Sequence, residues 1–266
     1  MITLYEINST EALDKFEENK NLVKEEIDIS FWINKRKETT LYEDEGILEV
    51  SVFGPLMRDT APIDRETGAT DYADLLRELT FAENDERVKG VLLNINSPGG
   101  MVNGNMEVAK MVENLGVPVV VYADGYFTSA AYKIGCGATH VVASPSCISG
   151  NIGTIMAYID YSKRLEELRI ELKAITNEGA DYKSTHYLNS LTPEQEAFLQ
   201  ELINESGKKF QQHVLNNRPI SPDSEVFKAG WYSGEKAVEL GLVDELGNKE
   251  TAMQRLVELM DTLQLV

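Results

Sequence analysis

Past residue 46, short apolar runs of strand length alternate with segments whose apolar residues recur at helical spacing. GILEVSVFGPL (46–56) reads as a buried strand stopped by Gly54-Pro55. Residues 58–70 (RDTAPIDRETGAT) are polar, hold Pro62 and Gly68, and read as a mobile loop. Leu75, Leu76, Leu79 and Ala82 line one face of a helix over 71–86, with Asp71 or Thr70 to cap it. VKGVLLNIN (88–96) predicts a strand broken by Ser97-Pro98-Gly99-Gly100, followed by a helix over 105–115 and a strand over 117–123. A helix then starts near Ser129. Further strands are expected at 139–143, 152–159 and 172–176, with a helix at 162–168. Thr192-Pro193-Glu194-Gln195 is a strong helix start: Thr caps, Pro takes the first helical position, and the acidic residues suit the positive end. That helix can run to Asn216, with shorter ones at 223–229, 234–240 and 249–263. Strands alternating with helices predict an α/β fold with mostly parallel pairing.

Residues 1–45 do not share this rhythm. The first 50 residues carry 13 acidic and 6 basic side chains, and 22–32 suits a helix or a strand equally. The expected division is therefore an acidic N-terminal extension, 1–45, and a main domain, 46–266.

Two segments stand out chemically: Ile95-Asn96-Ser97-Pro98-Gly99-Gly100 and the GYFTSAAY of 125–132. Each follows a buried strand, so both fall at the strand C-termini where α/β sheets place their sites. A Pro-Gly-Gly turn leaves backbone N–H groups uncovered, which suits it to binding an oxyanion. Ser129 sits where a strand hands over to a helix, its hydroxyl outward at the positive helix end. A lone serine there is most often a helix cap, and a lone SPGG most often a tight turn. Their co-occurrence is the signal.

Composition narrows the choices. The 266 residues carry 25 Lys plus Arg against 44 Asp plus Glu, a formal charge of −19, which disfavours a nucleic-acid binder. Two cysteines, Cys136 and Cys147, rule out a disulfide scaffold and suit a reducing cytoplasm. No run approaches the roughly 20 apolar residues of a membrane span, and the start lacks a signal-peptide pattern. A cytoplasmic protein without a membrane, metal or nucleotide partner is expected; no cofactor motif is present.

Six stretches, in order and spacing, resemble the signal-peptide-peptidase-A (SppA, protease IV) family of serine–lysine peptidases and its phage head-maturation relatives. They are VKGVLLNINSPGGMV, GYFTSAAYKIG, GNIGT at 150–154, GADYKS at 179–184, LTPEQ at 191–195 and YSGEKAVELGLVDELG at 232–247. The resemblance implies a ClpP/crotonase-like superhelix of repeated β-β-α units. It implies Ser129 as nucleophile, Lys183 as general base, and the amides of Gly100 and Ala130 as the oxyanion hole. It further implies protein substrates, scaffold or capsid proteins for the phage type, and a homo-oligomer whose neighbours help complete each site. A lysine base must be desolvated to lose its proton near neutral pH, so Lys183 is expected to be buried. Many members carry serine in a GSIG stretch where this chain has Asn151; its side-chain oxygen can still accept a hydrogen bond from the amine.

Other readings compete. A ClpP-like Ser-His peptidase would draw on His140, His186 or His213, of which His186 lies near Lys183. A crotonase-like enzyme would not need Ser129 and Lys183 together, and an inactive scaffold-binding relative would not need to keep them.

Overall fold

The computed structural model describes residues 39–66, 68–173, 175–183 and 190–264. The ambiguous 22–32 segment and His186 lie outside them.

Strands β1 (Thr40–Tyr42), β2 (Ile47–Phe53), β3 (Leu56–Met57) and β4 (Thr70–Asp71) come first, with a short helix α1 (Pro62–Glu66) before β4. Helix α2 (Tyr72–Asn84), β5 (Gly90–Ser97), α3 (Asn105–Asn114), β6 (Val119–Thr128) and α4 (Ala130–Gly135) follow. Next are β7 (His140–Ala143), β8 (Ile148–Gly150), α5 (Ser162–Glu167) and the long α6 (Pro193–Asn217). A 3-10 turn (Glu225–Lys228), β9 (Trp231–Ser233), α7 (Gly234–Glu239), β10 (Glu245–Leu246) and α8 (Lys249–Gln264) complete the order.

The main sheet runs β1-β2-β5-β6-β7-β10. Its pairs are parallel except β1 with β2, and β8 with β9. This is the expected α/β architecture with a mostly parallel sheet. The sheet begins ahead of Gly46, because Thr40–Tyr42 pairs with β2. Beyond the end of β7, the last residues of β6 take β8 as their neighbour, Thr128 opposite Gly150.

The strands are apolar on both faces because both are covered. Leu48, Val50, Val52, Val91, Leu93, Ile95, Val119 and Val121 pack with the buried sides of α2, α3, α4 and the end of α6. Ile47, Leu92, Val120 and Val142 alternate with them and meet Ala252, Leu256 and Met260 of α8. Within that second face Glu49 is buried, and it accepts bonds from Lys249 Nζ (2.6 and 2.7 Å), Asn94 Nδ2 (3.1 Å) and the Tyr42 hydroxyl (2.9 Å).

Three expectations need correction. Residues 58–70 form built structure. Buried Asp71 caps α2 through Ala73 N–H (2.9 Å), takes both the amide (2.8 Å) and hydroxyl (2.7 Å) of Thr60, and meets Arg65 at 3.2 Å. One carboxylate thus organises the whole excursion, which a polar composition does not reveal. The strands expected at 152–159 and 172–176 do not form: the strand is β8, three residues long and ending at Gly150. Both segments are apolar enough for a strand but find no backbone partner at a sheet edge; Ile152 turns into the core, and past it side chains face solvent, Ile155 at 87% and Ile175 at 96% exposure.

Candidate active site

The Pro98-Gly99-Gly100 turn closes β5 and is braced from two sides. Ser97 is fully buried; its hydroxyl donates to Gly54 C=O (2.6 Å) and accepts from Gly99 N–H (3.1 Å). Leu56 donates to Gly99 C=O (2.9 Å) and accepts from Met101 N–H (2.8 Å). With the amides on either side engaged, the Gly100 N–H is left without an acceptor among the described residues. A Cβ at Gly100 would fall on the Leu56 backbone, so the bracing requires glycine there.

Ser129 lies at the end of β6 with φ 53° and ψ −125°, a region glycine occupies freely and other residues rarely. Its N–H donates to Gly150 C=O (2.9 Å) and its C=O accepts from Lys133 N–H (2.9 Å), so the backbone is fixed on both sides. The hydroxyl makes no capping bond to α4. The ordinary reason for a serine in that position is therefore absent. Ala130 is the first residue of α4, so its N–H has no acceptor within the helix.

The two segments meet directly. Gly99, at φ 96°, lies so close that a Cβ on it would fall 2.7 Å from Ser129 Cβ and 2.8 Å from Ala130 N. The Gly99 end of the turn thus abuts both Ser129 and the Ala130 amide.

Asn151 follows β8 directly, next to the Gly150 carbonyl that holds Ser129. It too has positive φ (53°), and its N–H donates to Gly230 C=O (2.8 Å). Its Nδ2 donates to Ala229 C=O (3.4 Å), leaving Oδ1 without a donor among the described residues.

Lys183 is elsewhere. It ends a turn in which its N–H donates to Ala180 C=O (3.1 Å), and its side chain is exposed, not buried. No hydrogen bond joins it to Ser129. The turn sits on α6: Gln195 Nε2 donates to Asp181 C=O (2.9 Å), and Tyr182 stacks on Phe198 with ring centroids 4.5 Å apart. The segment before it also leans on that helix, through Thr154 with Ser206 and Tyr158 with Glu196. Of α6 itself only Phe210, His213 and Val214 are buried, so its first two thirds and the segment on it stand away from the core. That is why the lysine is solvated in a single chain.

Two histidines have other partners. His140, at the opposite end of the sheet, contacts Glu245 at 2.8 Å. His213 is buried against Lys133 C=O (3.0 Å), and burial pushes its pKa below the ordinary histidine value. Burial also drives the Cys136 thiol up to about 12, so it is inert as a nucleophile. Sequence reading missed the bracing by Ser97 and Leu56, and also Tyr72, whose hydroxyl donates to Met101 C=O (2.7 Å). The Gly54-Pro55 that ends β2 was the available sign of it.

The sequence model described as peptidase family S49 matches residues 112–262. The protein MJ0651 of Methanocaldococcus jannaschii is 37% identical over 193 residues, 71% of this chain and 60% of that protein. The capsid assembly protease C of Escherichia phage lambda is 27% identical over 219 residues, 81% of this chain and 50% of the phage protein. The chain therefore spans a half to three fifths of the length of these relatives. Among solved structures, a ClpP1 mutant from Listeria monocytogenes aligns over 85% of this chain and 99% of its own, at 14% identity and a TM-score of 0.48.

Proposed function

The chain belongs to peptidase family S49, the SppA-like group, and from that premise we propose that it is a serine endopeptidase with Ser129 as nucleophile and Lys183 as general base. The observation that carries this reading is the uncapped, backbone-strained Ser129 pressed against a Gly99-Gly100 turn whose N–H is free. In the proposed reaction the neutral lysine amine takes the Ser129 hydroxyl proton as Oγ attacks the scissile carbonyl. The negative charge that develops on the carbonyl oxygen falls between the Gly100 and Ala130 amides. The lysine then gives its proton to the leaving amine, and water hydrolyses the acyl-enzyme. Asn151 Oδ1 orients the amine.

The exposed position of Lys183 fits a site completed by assembly. Ile155, Ile159, Ile170, Leu172 and Ile175 present exposed apolar surface on the segment that carries it. A second copy of the chain would cover this surface and bury the lysine beside a neighbouring Ser129. For substrates, the phage relative named as a capsid assembly protease supports scaffold or capsid proteins. No helix of the described residues is long and apolar enough to cross a membrane, in keeping with action in a cytoplasm or an immature phage head.

The test is direct. Ser129→Ala and Lys183→Ala should each lose turnover of labelled casein by about a thousandfold or more, with unchanged circular dichroism. Mixed after partial dissociation, the two inactive variants should regain part of the activity, since one supplies the lysine and the other the serine. Full activity in Ser129→Ala would exclude the serine mechanism. Full activity in Lys183→Ala with loss in His186→Ala would replace the lysine by the histidine.

A further inference from the structure

The two oxyanion amides belong to different loops, and their spacing has to be kept within about half an ångström for catalysis. Gly100 rides on the turn into α3; Ala130 starts α4. A buried polar chain joins these two helices just behind the site. Asn105, the first residue of α3, is buried and donates from Nδ2 to Met101 C=O (3.3 Å), one residue past Gly100. Its Oδ1 accepts from the ammonium of Lys133 (2.9 Å), which lies one turn past Ser129 on α4 and is only 4% exposed. The Lys133 amine lies over Phe210 of α6, 5.4 Å from the ring centroid, and its own carbonyl is held by His213. No carboxylate pairs with this amine by salt bridge among the described residues.

A buried ammonium is an expensive way to join two helices. Apolar side chains in place of both partners would fill such a site at little loss of stability, and often with a gain. Burial also pushes the Lys133 pKa below the ordinary lysine value, although Cys136 and Glu107 oppose that. A lysine kept in this place needs a reason other than holding the core together. We propose that Lys133 is a positioning residue for the oxyanion hole: through Asn105 it fixes the Gly100–Met101 turn against the N-terminus of α4. This rests on the reading of Ser129 as nucleophile, and it separates Lys133 from Lys183, to which the proton transfer belongs.

Phosphonylation of Ser129 by a fluorescent fluorophosphonate tests it without a known substrate, because the phosphoryl oxygen occupies the oxyanion hole. Lys133→Met in the full chain should lower the maximal rate of phosphonylation about 10- to 100-fold, with the concentration for half-maximal rate and the pH at the midpoint of the rate profile unchanged; the melting temperature falls by a few degrees, because Asn105 Oδ1 loses its donor. Asn105→Leu should slow labelling likewise but melt lower, because it leaves the buried ammonium without its acceptor; the double variant should recover much of that stability and be no slower than either single one, as expected for one coupled unit. Should Lys133→Met fail to fold, the Lys133→Met, Asn105→Leu double variant, which strands neither partner, carries the test. A wild-type rate in the variant that folds overturns the proposal. So does complete loss of labelling with loss of the pH limb while Lys183→Met labels normally, since Lys133 would then be the base itself. Failure of the underlying reading looks different: the wild-type chain would then take up no label at Ser129.

Discussion

Ser129 holds a backbone conformation that costs a non-glycine residue about 1–3 kcal/mol. Glycine there would relieve that strain, less about 1 kcal/mol for its greater freedom when unfolded. Ser129→Gly should therefore melt about 2–4 °C higher than Ser129→Ala, both being inactive, in a calorimetric comparison. Equal melting temperatures would mean that the surroundings have relaxed the strain. The neighbouring glycine tolerates no such change. Gly99→Ala adds a methyl into Ser129 Cβ and the Ala130 amide, displacing nucleophile and oxyanion donor together, and should cost at least a hundredfold in turnover. At this scale the sequence was informative about identity but not about partners. Ser129 and the Gly-Gly turn were visible because each follows an apolar strand. Ser97, Leu56 and Tyr72 were not, since a hydroxyl or a leucine carries no sign of which backbone it will brace.

Among elements, the loop between β3 and α2 is the clearest case of order created by one side chain. Burial pushes the Asp71 carboxyl up, but the bonds from the Thr60 hydroxyl, the Ala73 and Thr60 amides and the charge of Arg65 outweigh it and hold the group at about 2 against an ordinary 3.8. A carboxyl with a depressed folded pKa stabilises fully above its unfolded value and loses that contribution as pH falls towards the folded one. Asp71→Asn should thus lower the melting temperature by about 2–6 °C at pH 7. The gap to wild type should close between pH 4 and 2 when melting is followed across that range. A gap independent of pH would assign the effect to the cap alone. Strand and helix positions were otherwise legible wherever period-two or helical spacing was backed by burial. They failed at 152–159 and 172–176, where apolar character has a different destination. The same side chains that looked like strand cores are the exposed ones on the segment carrying Lys183.

For the whole molecule, the proposed assembly through those exposed side chains makes activity depend on concentration. Ile155→Glu combined with Ile175→Glu should shift light-scattering mass towards the monomer and remove activity and Ser129 labelling with it, while secondary structure persists. An active monomer at every concentration would exclude a site shared between copies. The α/β class and the order of its elements could be read in advance because alternating strand and helix patterns carry topology. The location of Lys183 relative to Ser129 could not, since no local pattern encodes which chain a turn will face.

The ion pair between Glu49 and Lys249 joins residues 200 positions apart, and its consequence is one of timing. On a ribosome, β2 is made early and its buried carboxylate waits for a cation that comes with α8, the helix of the described residues that covers Ile47, Leu92 and Val120. Until then one sheet face is bare and carries an unneutralised charge, so this side of the parallel core closes only once residues 249–264 have been made.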